Sequence, residues 1–326
     1  MRSRITEKSG VNVPCSNHLL APLVLYSMTD QKTQIGFIGQ GWIGKHYADD
    51  FEKRLYSVVC YALEEPYNQN KEQIKNCAVV FIAVPTPTTT DGFQIGAVES
   101  VLSLIAPGST AVIKSTMVPG MTKQLQDKFP NLFIMHSPEF LAEKTAAYDA
   151  SFPKRNIVGI PVDSVEYQER AQQVLDLLPN APFMSVMGAT EAELTKYAGN
   201  AFLYTKVVFM NALHDLVMAT GSDFETVRAA MAADPRIGES HTQPVHTSGH
   251  DQDNAKPVRG AGGHCFIKDF EAMRQLHAEL LGEGAAHQVL SALTNYNNQL
   301  LVHSEKDLDL LTEVHGAAEV TKHQKC

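Results

Sequence analysis

A doubly wound, parallel α/β sheet followed by an all-α domain is the fold class that this 326-residue sequence predicts. Three observations carry the reading. Short, wholly apolar segments alternate with helical stretches as far as residue 188. A glycine motif, GQGWIG, stands where the first of these segments gives way to a helix. Beyond Gly188 the strand signals stop and only helical patterning remains.

The first strand begins at Gln34, where QIGFIG breaks at Gly39, and 42–54 reads as the helix after it. Strands are predicted at 57–62, 78–84, 110–114 and 132–136, punctuated by turns such as Pro107-Gly108. Segments 156–160 and, more weakly, 183–186 complete the sheet. Thr190 and Glu193 then have capping-box spacing, which opens a helix running to about Thr220, with Gly221 placed to end it. Ser222 and Glu225 repeat the signature, and further helices are expected over 265–281 and 285–301. Between Asp234 and Gly263 lies a polar loop too long to be a mere connector.

Composition narrows the function. At 44% hydrophobic and 19% charged residues the chain has ample material for a core. No apolar run approaches the roughly 18 residues of a membrane span, which argues against a membrane partner. The net charge of −9, with no cationic run, disfavours nucleic acid. Five irregularly spaced cysteines argue against a disulfide framework and for a reducing, cytoplasmic setting. His241, His246, His250 and His264 fit no metal-ligand spacing and read as a solvated loop, so no metal is expected. Residues 1–29 lack the features of a signal peptide and are expected to be a poorly ordered extension, with Met28 as an alternative initiator.

In GQGWIG the glycines fall at Gly39, Gly41 and Gly44. The first permits a tight turn, the second lets a pyrophosphate approach the backbone, and the third lets helix pack on strand, which makes the layer a Rossmann-type one. A ribose-binding carboxylate is expected after the second strand. Glu64 reads either as that ligand, which would favour NAD over NADP, or as half of a solvated acidic pair with Glu65.

Downstream, Cys265 follows two glycines and leads into a helix, so amide dipoles and Lys268 are expected to favour its thiolate. Lys196 and Asn200 stand four apart on a largely apolar helix, a pair suited to a developing oxyanion. Asp269 shares a helical face with Cys265, where shielding from solvent would tune a carboxylate for proton transfer.

Six segments resemble the UDP-glucose/GDP-mannose 6-dehydrogenase family: FIAVPTPT (81–88), KSTMVPG (114–120), SPEFLAEKTAAYD (137–149), ELTKYAGNAFLYTKVVFMN (193–211), DPRIG (234–238) and GAGGHCFIKD (260–269). They occur in the family's order and span about 34–301. The resemblance implies four-electron oxidation of a nucleotide sugar, UDP-glucose by default, at its 6-hydroxyl, with two NAD consumed. It makes Cys265 the nucleophile that carries a thiohemiacetal and then a thioester, and Lys196 and Asn200 the oxyanion-side pair. Asp269 and Thr116 become partners of an ordered water, and Glu139 the base for thioester hydrolysis. Trp42, Ile43, Pro85, Thr86, Thr116, Glu143 and Lys268 are implied at the cofactor, and Phe140, Leu141, Arg236, Arg259 and Gly262 at the substrate. Arg236 is expected to reach a neighbouring site across a homodimer formed through the long helix, and Arg259 to meet phosphate.

The implied organisation is an extension (1–29), an NAD-binding domain (30–188), a helical dimerisation domain carrying an active-site loop (189–303) and a charged tail (304–326). Departures from the family pattern are a missing third, nucleotide-binding domain, 29 positions between Arg236 and Cys265, a short 62–78 segment, and Lys144 where glycine often follows the family's Glu143 position. Two other functions fit the same domains. One is a two-electron dehydrogenase of the 3-hydroxyacid type, which needs no Cys265; the other is a non-catalytic NAD or nucleotide-sugar binder.

Overall fold

A computed structural model describes residues 34–246 and 258–324. The predicted extension 1–29 and the segment around His250 lie outside the described residues. Seven strands form one sheet: β1 (Gln34–Ile38), β2 (Ser57–Tyr61), β3 (Val79–Ile82), β4 (Thr110–Ile113), β5 (Phe133–His136), β6 (Arg155–Ile160) and β7 (Phe183–Gly188). Their order is β2-β1-β3-β4-β5-β6-β7.

Alternation along β3 shows why the strands read as continuous apolar runs. Val79 and Phe81 face helices α1 (Trp42–Lys53) and α5 (Val165–Leu177), while Val80 and Ile82 face α2 (Gly96–Leu102) and α3 (Met121–Lys128). Both faces are covered, so neither set of side chains has reason to be polar.

The sheet departs from the wholly parallel one that the sequence predicts. β1 to β5 are parallel, whereas β6 meets β5 antiparallel through His136 and Gly159 and then pairs in parallel with β7. An apolar strand buried on both faces reads the same in either direction, so its residues do not encode polarity. The intervening segment carries a 3₁₀ turn (Glu143–Thr145) and the six-residue α4 (Ala146–Ser151), which packs against α1. The short 62–78 stretch is a 3₁₀ turn, Tyr67–Asn76, tied to β2 where the Asn70 amide donates to the Cys60 carbonyl (2.9 Å).

The chain leaves β1 and β3 on opposite sides of a crevice, the topological switch point of a doubly wound sheet. Gly39 (φ +91°) makes the turn there, and its amide donates to Tyr61 O (2.8 Å). A Cβ on Gly44 would lie 1.8 Å from Gly39 O, whereas one on Gly41 would meet nothing within 4 Å. The first and third glycines thus serve packing, and the middle one leaves open space.

Helix α6 (Ala189–Ala219) has 31 residues and is about 45 Å long. Its first turn lies on the sheet, where a Cβ on Gly159 would meet Ala192 Cβ at 2.6 Å. Residue 188 is therefore a packed junction between the layers. The predicted caps are used differently. α6 starts from Gly188 with no side-chain cap, and Glu193 instead accepts from the Gly120 and Thr122 amides (2.5 and 2.8 Å) at the start of α3. α7 (Phe224–Ala232) is capped by Asp223, which accepts from Thr226 N (2.8 Å), while Glu225 pairs with Arg228. Spacing alone does not show which neighbour a carboxylate will find.

Helices α8 (His264–Leu281) and α9 (Ala285–His303) follow, with Tyr204 of α6 stacked on Phe270 of α8 at 4.0 Å. The stretch expected to be a charged tail forms two helices, α10 (Leu308–His315) and α11 (Ala317–Gln324). Leu310, Leu311, Val314 and Val320 pack on Ile267, Leu301 and Val302. The interspersed charges mask this apolar face in the sequence.

Gly44→Ala is expected to cost about 3 kcal/mol, because a carbonyl oxygen held by the sheet cannot withdraw. Gly41→Ala should stay within about 0.5 kcal/mol of wild type. Urea unfolding of the two variants checks the contrast.

Candidate active site

The loops leaving β3, β4 and β5 converge at the C-terminal edge of the parallel strands. Ser115 Oγ donates to Val84 O (2.7 Å) and Thr86 Oγ1 to Thr116 O (2.9 Å), so the loops after β3 and β4 are stitched together beside the glycine turn. Thr86 and Thr116 are buried there, Pro85 is exposed, and Ile43 packs into the core under α1. Trp42 stands half-exposed against His46 at the mouth of the crevice. Glu64 is exposed beyond β2. The side chain of Glu143 lies outside the described residues. The donor-rich start of α1, the open space over Gly41 and the buried threonines fit a dinucleotide pyrophosphate and its nicotinamide half.

Next to this crevice α6 and α8 bring the predicted chemical residues together. Lys196 Nζ lies 2.6 Å from Glu139 Oε1, with both side chains buried, and Glu139 Oε2 accepts from Leu141 N (2.8 Å). One turn along α6, Asn200 Nδ2 donates to Asp269 Oδ2 (2.6 Å), and Lys268 Nζ donates to the other oxygen of the same carboxylate. Asp269 is fully buried. Phe140 is covered by the Arg155 guanidinium at 3.6 Å, with Lys196 Nζ 5.8 Å from the ring centroid.

Burial works against the charge of Lys196, but Glu139, Cys265 and Asp269 together outweigh it and raise its pKa. The lysine therefore stays an ammonium facing the thiol.

Cys265 departs from expectation. Its residue keeps an exposed face, yet crowding by surrounding protein is the first cause of a raised thiol pKa. Asp269 and Glu139 raise it further, against the lowering pull of Lys196 and Lys268. Lys268 is bound to Asp269, so the cation expected to favour the thiolate is largely balanced.

Three predicted substrate contacts have protein partners in the described structure. Arg236 is exposed and bound to Asp234 (2.6 Å). Arg259 pairs with α6 through Asn211 Oδ1 (2.8 Å) and Asp215 Oδ1 (2.7 Å). The space beside Gly262 is filled by Asp307, whose Oδ2 would lie 2.2 Å from an added Cβ.

The structure also adds residues that sequence reading missed. Lys114, buried at the end of β4, donates to Ser137 Oγ (3.0 Å) and lies over the Tyr47 ring (4.3 Å). Burial lowers its pKa to about 7, with Glu139 pulling the other way. His136 is buried with Nδ1 3.1 Å from Ile113 O, and burial lowers its pKa to about 3. Asn297 clasps Ala261 from both sides, with its Oδ1 taking the amide (2.7 Å) and its Nδ2 reaching the carbonyl (3.0 Å). A lysine ending the apolar run TAVIK was the visible signal for Lys114; Asn297 gave none.

Lys114 loses its proton near pH 7 when folded and near 10.5 when unfolded. Between these values the unfolded chain binds more protons, so wild-type stability rises with pH. The melting temperature of Lys114→Met relative to wild type is therefore expected to increase as pH falls through that window and to level off below it. A second measurement follows iodoacetamide labelling of the Cys265 peptide by mass spectrometry. Labelling should keep climbing with pH beyond the range of an ordinary thiol, with Lys196→Met slowing it and Asp269→Asn speeding it by about threefold or more at a fixed pH.

Comparison with known proteins identifies the two layers that carry these residues. Residues 51–176 match the NAD binding domain of the UDP-glucose/GDP-mannose dehydrogenase family, and residues 190–299 match that family's central domain. The chain is 31% identical over 210 residues to a UDP-glucose 6-dehydrogenase of Streptococcus pneumoniae, covering 61% of this chain and 50% of the relative. It is 30% identical over 251 residues to that of Rickettsia bellii, covering 72% and 54%. The chain thus spans about half the length of these curated relatives. Among solved structures it resembles a UDP-glucose dehydrogenase from the archaeon Pyrobaculum islandicum, with a TM-score of 0.69 at 25% identity over 87% of this chain and 72% of that one. Two consecutive domains of one family flank the junction at Gly188 in the family's own order, and the chain belongs to the UDP-glucose/GDP-mannose dehydrogenase family.

Proposed function

We propose that this chain oxidises the 6-hydroxyl of a UDP-sugar, UDP-glucose by default, to the carboxylate, with NAD as the acceptor. The observation that carries the reading is the convergence of a thiol, an ammonium, an amide and two carboxylates beside a dinucleotide crevice. Bound NAD would accept the hydride in each of two successive oxidations.

The residues of the chain account for the remaining chemistry. Asp269, with Thr116, takes the proton of the sugar hydroxyl through a water as the alcohol becomes an aldehyde. Cys265 adds its sulfur to the aldehyde carbon, and its proton leaves to a neighbouring base. Lys196 and Asn200 donate to the oxygen that gains charge in this addition. The hemithioacetal holds the half-oxidised carbon in place, and its oxidation leaves a thioester. Glu139 then activates the water that releases the acid and restores the thiol. A raised thiol pKa leaves less thiolate for the attack and makes the sulfur a slower leaving group, so both steps depend on the base that takes the thiol proton and on the nearby Lys196 ammonium.

Leu194, Phe202, Phe209 and Leu216 lie exposed on one face of α6, at spacings of seven and eight residues. We infer that this apolar stripe pairs with its counterpart in a second copy, a homodimer in which the exposed Arg236 reaches the neighbouring site by giving up its pairing with Asp234. No helix among the described residues is long and apolar enough to cross a membrane.

Incubation with NAD and a panel of UDP-glucose, UDP-N-acetyl sugars and GDP-mannose tests the reaction. Two NADH per sugar are expected, with Cys265→Ser reducing turnover by about 10³-fold or more. One NADH per sugar with a fully active serine variant would instead indicate a two-electron dehydrogenase of the 3-hydroxyacid type, and NAD binding without turnover a binding protein.

A further inference from the structure

The loop that delivers Cys265 is held at alternate residues. Arg259 N donates to Ser304 Oγ (3.2 Å), Ala261 is clasped by Asn297, and Gly263 N donates to Asp307 Oδ2 (2.7 Å). Ser304 and Asp307 lie beyond residue 299, where the match to the family's central domain ends.

Asp307 is unusual in what it leaves undone. It occupies the N-cap of α10, where an aspartate ordinarily accepts from an amide of its own helix, yet it makes no such bond. Its carboxylate reaches across to Gly263, the N-cap of α8, two residues before the thiol. Glu305 and Asp307 both have positive φ (53° and 51°), a backbone that side-chain-bearing residues keep only where surroundings fix it. Buried Lys306 lies between them and closes on Gly262, where an added Cβ would stand 2.7 Å from its Cε. The strap is thus built against the two glycines, and α10 and α11 behind it are anchored on α8 and α9 by a core of their own.

We propose that Asp307 is a positioning residue for Cys265: the 304–307 strap fixes the start of α8 and with it the direction from which the sulfur meets the sugar carbon. The inference deepens the dehydrogenase reading and rests on it for its kinetic arm alone. Removing the carboxylate frees the Gly263 amide and lets the first turn of α8 fray, while the dinucleotide crevice, built from β1, β3 and α1, is untouched.

The test compares wild type, Asp307→Asn and Asp307→Ala in the full chain, with thermal melts to confirm that each folds. Hydrogen exchange of the peptide covering 260–266 should rise about tenfold or more in Asp307→Ala while peptides from β1 and β3 stay protected. Asp307→Asn keeps an acceptor and should stay within about threefold of wild type. With NAD and the active sugar, Asp307→Ala should lose about tenfold or more in kcat with KM for NAD unchanged, and Asp307→Asn should recover most of it. The pH profile of iodoacetamide labelling at Cys265 should shift in Asp307→Ala as well. Unchanged exchange in Asp307→Ala overturns the proposal. So does raised exchange with an unaltered labelling profile and kcat, which would mark a purely structural contact. Should wild type oxidise no sugar, the dehydrogenase reading fails by itself, and the exchange and labelling arms still decide the strap.

Discussion

The ion pair between Lys196 and Glu139 is the contact on which the rest of the site depends. It joins the loop after β5 to the second turn of α6, two parts of the chain 57 residues apart, with both charged groups out of water. A buried pair of this kind is weak support for stability in itself, because desolvation offsets most of the attraction, but breaking it leaves an unpaired charge at large cost. Its effect is to fix register. With Lys196 held at Glu139, Asn200 one turn on must face α8, where it meets Asp269.

Three further joints serve the same geometry. Glu193 fastens the start of α6 to the start of α3, and Gly159 lets α6 approach the sheet closely enough for that bond to form. The Tyr204–Phe270 stack sets α8 against α6, and Asn297 and Asp307 pin the loop from which α8 emerges. The crevice and the thiol belong to different layers, and these contacts determine how the two face each other. Glu193 accepts three donors from α3 and its pKa is still raised, with burial the leading cause. That it is retained in so buried a place fits a role in orientation more than in net stability.

Electrostatically the site is a nearly balanced cluster. Ammonium groups at Lys196 and Lys268 meet carboxylates at Glu139 and Asp269, and Cys265 feels all four. Burial first, and this balance after it, keep the thiol from being a permanent thiolate and leave its reactivity to small changes in what surrounds it, such as a bound substrate displacing solvent. Beneath it, burial holds Lys114 and His136 well below their ordinary values, so the floor of the cluster carries less positive charge than its composition suggests.

Much of this was legible in the sequence. Glycine spacing announced the crevice, apolar alternation announced a sheet covered on both faces, and the four-residue spacings of Lys196 with Asn200 and Cys265 with Asp269 placed each pair on one helix face. These are local facts, fixed by backbone periodicity and by what a residue type can do within a turn or two. What only the tertiary structure decided is non-local: the reversed direction of β6, the use of Glu193 on α3, the capture of Arg259 by Asn211 and Asp215, the helices within the supposed tail, and the raised pKa of Cys265. Burial and Coulomb energy depend on which distant side chains come within a few ångströms, and no spacing along the chain carries that information.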